Sequence, residues 1–155
     1  MKIRSLTILT TLLFSHLAFA DLTVSHPLQL AADPCSNLTG QWDGQGQGQD
    51  KSGAVKCIYG GTVTVKQDGP GSFIITDSIV NKISGHLICP RQIPLKELKG
   101  TCVKGVISAQ GETQGKTEIT LNGAFQSDTS VTLDGTMKLE GGMTAQITQF
   151  VLNKR

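Results

Sequence analysis

Hydrophobic side chains return at every second position along most of the chain. The clearest alternation runs over residues 130–139, where apolar residues or glycine occupy the odd positions and polar residues occupy the even ones. A two-residue period predicts strands with one buried and one solvated face, as in antiparallel sheets. The pattern predicts eight strands, at residues 38–48, 54–67, 72–80, 83–89, 102–109, 115–125, 130–139 and 143–152.

The apolar face falls on odd-numbered positions from the second predicted strand to the last, and Asp77 is the one charged residue on it. Eight consecutive strands with a single apolar face predict an all-β fold, an eight-stranded antiparallel up-and-down β-barrel. A β-sandwich of two sheets is the alternative. Glycines on the inner face favour the coiling that closes a sheet, and they favour an internal cavity. These glycines are Gly61, Gly85, Gly105, Gly115, Gly123 and Gly135.

Two connections stand out between the predicted strands. Residues 90–101 form the one long connection, where Pro94 and Gly100 bracket a predicted helical turn at residues 95–99. The same region is rich in lysine and arginine, which indicates a solvated loop or a site for an anionic partner at a barrel mouth. Residues 140–142 predict a three-residue hairpin loop, because two of them are glycines that accept a positive φ.

The first twenty residues have the composition of a secretory signal peptide. Lys2 and Arg4 precede an apolar run at residues 6–14, and residues 18–20 read Ala-Phe-Ala, a small-residue cleavage site. The chain therefore divides into a signal peptide at 1–20, an N-terminal arm at 21–37 and a barrel domain at 38–155. No later apolar run is long enough to predict a membrane span, so we expect a secreted or periplasmic protein.

The charge of the mature chain argues against nucleic acid as a partner. Removal of the predicted leader takes away two of the fourteen basic side chains and none of the twelve acidic ones, which leaves a formal charge of zero. Nucleic-acid binding needs a basic surface that displaces counterions from the phosphates. The sequence indicates no such surface. It also does not indicate an oligomeric state.

All four cysteines lie in the mature chain: Cys35, Cys57, Cys89 and Cys102. An even number in a small exported domain predicts two disulfides, which four cysteines can form in three pairings. We favour the most local set, Cys35–Cys57 with Cys89–Cys102. A zinc site is the weaker alternative, since no C-x-x-C spacing occurs and the mature chain has only two histidines. The sequence predicts no metal and no cofactor.

Residues 38–42 read Leu-Thr-Gly-Gln-Trp. This opening, ahead of a run of antiparallel strands, resembles that of calycin barrels, the group of lipocalins and avidins. The resemblance implies that Trp42 packs across one barrel end, under a basic side chain that follows the last strand. Arg155 or Lys154 would supply that cation.

The same opening is similar to that of bacterial secreted metalloprotease inhibitors, which are small calycin-like barrels. They have an N-terminal arm, then L-x-G-x-W, then a cysteine early in the next strand. Residues 28–32, residues 38–42 and Cys57 follow that order here. The resemblance implies that the arm would enter the active site of a secreted protease.

The predicted inner face has few polar atoms. Tyr59, Asp77 and Gln149 are the polar side chains that we expect to orient a ligand, because a carboxylate inside an apolar space must be hydrogen-bonded or neutral. Phe73 and Phe125 lie on the same face, and we expect them to be core residues or ligand contacts. We expect the barrel to bind a small apolar molecule. The alternative is an inhibitor or protein-interaction module that acts through its arm and loops.

Catalysis has little support in the sequence. A nucleophilic serine or cysteine needs a base, and the mature histidines are His26 in the arm and His86 on an outward position. The G-x-S-x-G, H-E-x-x-H and phosphate-binding-loop motifs are missing from the sequence. We therefore expect a binding protein rather than an enzyme. Phe150 breaks the odd-position rule and is predicted to cover a sheet edge or a partner contact.

Overall fold

The computed structural model describes residues 33–138 and 142–155, apart from the side chain of Asp77. These residues form a closed barrel in which each strand pairs antiparallel with the next and the last pairs with the first. The strands are β1 Gly40–Gln49, β2 Lys56–Gln67, β3 Ser72–Gly85, β4 Gln92–Val103, β5 Val106–Thr113, β6 Glu118–Ser127, β7 Ser130–Lys138 and β8 Thr144–Lys154. The predicted eight-stranded antiparallel barrel is confirmed, and the β-sandwich alternative is wrong.

A short 3₁₀ helix, Pro34–Ser36, precedes β1 at one end of the barrel. We call this the sealed end; it also holds Trp42 and the Lys104–Gly105 turn. The opposite end, which holds the loop at residues 86–91 and Tyr59, is called the open end. The predicted signal peptide, residues 21–32 of the arm and residues 139–141 lie outside the described residues. Within the described part, no helix has the length and apolar character needed to cross a membrane.

The odd-position rule holds along most of the barrel but fails wherever a strand carries an extra residue. A β-bulge places two residues opposite one, so it moves the following side chains to the other face. The inner position changes from odd to even from Ile75 to Ser78 in β3, from Leu95 to Leu98 in β4, and from Ile147 to Phe150 in β8. The prediction of an inner position is wrong for Ile79, Ile83, Leu87, Val103 and Met143, which are all exposed.

The predicted fourth strand and the predicted long connection are wrong. β3 continues to Gly85, and β4 covers residues 92–103, so the expected helical turn at residues 95–99 is part of a strand. Pro94 lies near the start of β4, before the β4–β5 ladder begins at Leu95, and its carbonyl accepts from the Gln114 amide. At Gly100, a β-carbon would lie 2.2 Å from the Phe73 ring, so this glycine makes room for a core side chain rather than a turn.

Four of the predicted inner glycines allow neighbouring strands to approach closely. A β-carbon on Gly61, Gly85, Gly123 or Gly135 would lie 2.0 to 2.6 Å from a carbonyl oxygen of the adjacent strand. These glycines therefore permit the strong coiling of a small barrel and leave no cavity of their own. Gly105 lies in the β4–β5 turn with a φ of 78°.

Two disulfides are present as predicted, but the predicted pairing is wrong. The bonds join Cys35 to Cys102, with Cα atoms 5.4 Å apart, and Cys57 to Cys89, with Cα atoms 6.1 Å apart. The local pairs cannot form, because Cys35 and Cys57 lie at opposite ends of the barrel, as do Cys89 and Cys102. A strand of about ten residues spans about 33 Å, whereas a disulfide needs Cα atoms within about 7 Å.

Candidate functional site

Trp42 closes the sealed end of the barrel. Its side chain is 2% exposed, and its Nε1 donates to the Leu38 carbonyl at 3.0 Å. The Phe125 ring meets it edge-on, with ring centroids 6.0 Å apart. Because the indole N–H is satisfied and the ring is packed on Phe125, this end is filled by side chains. A cavity of only about 30 Å³ remains there.

The cation over the tryptophan is Lys154, and the prediction of Arg155 for that role is wrong. Lys154 Nζ lies 5.8 Å from the Trp42 ring centroid and donates to the Asn37 carbonyl at 2.7 Å. Arg155 instead points along the outer face, where its Nε donates to Asp43 Oδ2 at 2.7 Å. That hydrogen bond from Arg155 lowers the pKa of Asp43 below its ordinary value. Arg155 therefore belongs to an exposed ion pair and not to the barrel end.

A second, larger cavity of about 80 Å³ reaches the open end. Its walls are apolar side chains and glycine backbone, and Gly48, Ala145 and Ile147 at its outer part are half-buried. Deeper lining residues include Val80, Leu98, Met137 and Leu152. β1 contributes Gly46 and Gly48 to the lining, where the Phe150 side chain packs on Gly46 and the Tyr59 ring lies against Gly48.

Phe150 forms one wall of this cavity because of the bulge in β8. Gln149 has a φ of 51°, and its amide donates to Asp134 Oδ1 at 2.8 Å. The extra residue turns Phe150 inward, where its ring lies over Gly44 and Gly46. The expectation that Phe150 covers a sheet edge is therefore wrong. Gln149 is exposed, so the expectation that it faces the interior is also wrong.

Tyr59 links the cavity to the loop at residues 86–91. Its ring lines the cavity, and its hydroxyl donates to the Pro90 carbonyl at 3.1 Å. Burial raises the pKa of this phenol above its ordinary value. The adjacent Cys57–Cys89 disulfide ties the same loop to β2. Tyr59 is thus the one predicted polar residue that the structure places on the cavity.

Among the other predicted ligand contacts, the described side chains lie away from this cavity. Phe73 and Phe125 line the small cavity of the sealed end instead. Asp77 lies in β3, and its side chain is outside the described part of the structure. The lining residues Ala145 and Met137 occupy odd positions of predicted strands, so the alternation places them on the inner face. Phe150 could not be found that way, because its orientation depends on a bulge.

The described side chains offer no arrangement that would hold a metal ion. Within residues 33–138 and 142–155, no three His, Cys, Asp or Glu side chains come together as ligands. The four cysteines are bonded in pairs. Apart from Tyr59 and Gln47, every residue around the larger cavity is apolar or glycine. Chemically, this apolar lining can exclude water from the surface of an apolar molecule.

No protein-family model and no curated protein matches the sequence. Solved structures of designed barrels do resemble the fold. The barrel EF1p2_mFAP2b, bound to DFHBI, aligns with a TM-score of 0.59 and 14% identity over 79% of this chain and 98% of its own. The redesigned barrel mFAP1, also bound to DFHBI, aligns at 0.55 and 16% over 79% of this chain and 100% of its own. A de novo designed fluorescence-activating barrel gives 0.52 and 14% over 79% of this chain and 98% of its own. Identities this low establish a shared fold alone.

Proposed function

We propose that this barrel binds a small apolar molecule in the cavity at its open end. The observation that carries the proposal is an apolar cavity of about 80 Å³, whose lining includes Gly46, Gly48 and Phe150. A space of this size exceeds what one water needs, and its apolar walls give water few partners. Filling it with an apolar ligand would gain contacts that the walls now lack.

The cavity volume limits the ligand to a short aliphatic chain or a single ring. It lies below the roughly 300–1,000 Å³ of pockets for larger ligands. Phe150 is the side chain that can change this limit, because its ring lines the cavity and lies over Gly44 and Gly46. Rotation of that ring would lengthen the cavity toward the first strand. The two designed barrels that bind DFHBI support the proposal, since they show a ligand held by this fold.

The proposal places the protein among calycin-like, lipocalin-like carriers. Support comes from Trp42 packed across one end beneath Lys154, the arrangement that the Gly-x-Trp opening implies. The two disulfides indicate an oxidising environment, extracellular or periplasmic, which suits an exported carrier. We propose binding rather than catalysis, because no carboxylate or imidazole among the described residues lines the cavity.

The test is a titration with three probes of increasing size: benzene, indole and N-phenyl-1-naphthylamine. We expect the wild-type protein to bind at least one of them by calorimetry. Ala145→Leu would fill the cavity and reduce that affinity at least tenfold. Ala124→Leu is the matched control, because it makes the same substitution on the outer face of β6. Absence of binding to all three probes, or equal binding by both variants, would overturn the proposal.

A second candidate function is a secreted protease inhibitor or protein-interaction module. It is favoured by the way in which the base of the arm is fixed: Cys35 is bonded to Cys102, and Leu38 is 2% exposed. Deletion of residues 21–32 distinguishes the two functions. A carrier keeps its probe affinity after the deletion, whereas an inhibitor loses its effect on secreted metalloproteases.

A further inference from the structure

The turn at residues 86–89 presents two large apolar side chains to water. Leu87 is 94% exposed and Ile88 is 70% exposed. Ile83, 59% exposed, continues the apolar surface along the outer face of β3. We call these three residues the apolar tip. Turns normally carry glycine, proline or small polar residues, so two adjacent large apolar residues at this place indicate a surface that contacts an apolar phase.

The backbone of this turn is held in place from several sides. The Cys89 amide donates to the His86 carbonyl at 3.1 Å, and the His86 amide donates to the Lys56 carbonyl at 3.0 Å. Lys82 Nζ also donates to the His86 carbonyl, at 2.8 Å. The Cys57–Cys89 disulfide anchors the end of the turn to β2. These bonds hold the backbone on both sides of Leu87 and Ile88, and both side chains are exposed there.

The surroundings of the apolar tip are basic. Residues 78–96 contain no aspartate or glutamate, but they contain Lys82, Arg91 and Lys96. Lys56, also exposed, lies beside the turn at the start of β2. The three ion pairs among the described residues involve none of these cations. An apolar tip with cationic side chains on its own two strands and at the start of β2 is complementary to a bilayer with anionic headgroups, in which apolar side chains enter the acyl boundary and cations face the phosphates.

We propose that the apolar tip docks this barrel on a lipid bilayer that carries anionic headgroups. Docking by this tip turns the open end toward the bilayer, because Pro90 at the end of the turn accepts the hydrogen bond from Tyr59 on the cavity wall. An apolar ligand then has a path between cavity and bilayer that avoids water. The docking itself needs no ligand, so it goes beyond the proposed carrier function and is tested separately from it.

The experiment is co-sedimentation with two kinds of vesicle, one of phosphatidylcholine alone and one of equal parts phosphatidylcholine and phosphatidylglycerol. We expect the full mature protein, without added ligand, to bind the anionic vesicles, and added salt to weaken that binding. Leu87→Ser/Ile88→Ser is expected to reduce the bound fraction at least tenfold. Lys56→Gln/Arg91→Gln is expected to reduce it on the anionic vesicles several-fold.

The matched control is Val103→Ser/Val106→Ser. These two valines are 65% and 59% exposed at the Lys104–Gly105 turn of the opposite end. The control should bind vesicles as the wild-type protein does, and unchanged circular dichroism should show that all variants are folded. No binding of the wild type to either vesicle, or equal loss in both serine variants, would overturn the proposal. A dimer that disappears in Leu87→Ser/Ile88→Ser, without vesicle binding, would assign the tip to a protein contact instead.

Discussion

The two ends of this barrel are built from the same eight strands but are packed in opposite ways. At the sealed end, Trp42 is buried, hydrogen-bonded and packed on Phe125. At the open end, the same strand presents Gly46 and Gly48, and an apolar cavity remains. The difference therefore arises within β1, where a tryptophan is followed by glycines at every second position.

This contrast separates stability from ligand binding along one strand. Close packing gives favourable contacts, and the loss of a buried side chain at such a place costs several kcal/mol. At the open end, Phe150 occupies the space over Gly44 and Gly46, and the rest of the interior keeps a cavity of about 80 Å³. We infer that the sealed end stabilises the fold and that the open end serves binding, and the following changes test that division.

Removal of a disulfide should have the largest effect on stability. In the chain-entropy model, loss of Cys35–Cys102, with a sequence separation of 67, costs about 4.4 kcal/mol, and loss of Cys57–Cys89, with a separation of 32, costs about 3.7 kcal/mol. Urea unfolding of the paired Cys→Ser variants, followed by the fluorescence of the single tryptophan, measures both. Probe binding in the absence of urea should change only in the Cys57→Ser/Cys89→Ser variant. Equal loss of probe binding in both variants would contradict the division.

Phe125→Ala should destabilise the protein by about 3 kcal/mol, because it removes the ring that packs on Trp42. Its probe affinity should remain that of the wild type. Ala145→Leu should do the reverse: probe binding should be lost, and the free energy of unfolding should change less than in Phe125→Ala, because the added side chain enters existing space. Thermal unfolding and calorimetry of the two variants provide the comparison. A loss of probe binding in Phe125→Ala would show that the two cavities act as one.

Lys154→Gln should cost about 1 kcal/mol, since it removes the cation from the Trp42 ring and the hydrogen bonds to Asn37. Arg155→Gln is the control, because its ion pair with Asp43 is exposed and we expect no measurable change. Chemical unfolding of both variants decides which cation closes the barrel. An equal cost for the two substitutions would be at odds with the observed geometry.

Tyr59 should titrate above its ordinary pKa of 10.0, because burial disfavours the phenolate. It is the single tyrosine of the chain, so phenolate absorbance reports this group alone. Below the unfolded pKa of Tyr59, its titration should give the free energy of unfolding no pH dependence. As pH rises from there through the folded pKa, the free energy of unfolding should fall. Tyr59→Phe should remove this alkaline decrease. Titration at the ordinary value would show that water reaches the ring freely.

The alternation of side chains was sufficient to predict the barrel. Seven of the eight observed strands have a predicted counterpart, all but β4, since a half-buried strand has a strict period of two. The positions after bulges could not be predicted, because one extra residue inverts every following side chain and leaves no mark in the composition. Gln149 and Phe150 were therefore assigned to the wrong faces.

The strand around Pro94 and Gly100 could not be predicted for a different reason. Both residues are typical of turns, yet here each has a role that depends on a neighbouring strand. The predicted disulfide pairing was wrong because two cysteines that are close in sequence can lie at the two ends of one strand, and sequence distance does not show this. The inward position of Tyr59 could be predicted from the sequence. The shape of the cavity could not, because it depends on whether each inner glycine packs against a side chain or against the backbone of the next strand.

Pairing of β1 with β8 has a consequence for the kinetics of folding. Trp42 is opposite Lys154 in the register. The barrel therefore closes only when residues from nearly the two ends of the domain's sequence come into contact. Such long-range pairing is slow, because a large loop entropy must be lost before it is repaid. Until the last strand arrives, the glycine-rich edge of the first remains unpaired and available for aggregation. The rate of refolding should therefore depend most on substitutions that weaken the pairing of β1 with β8.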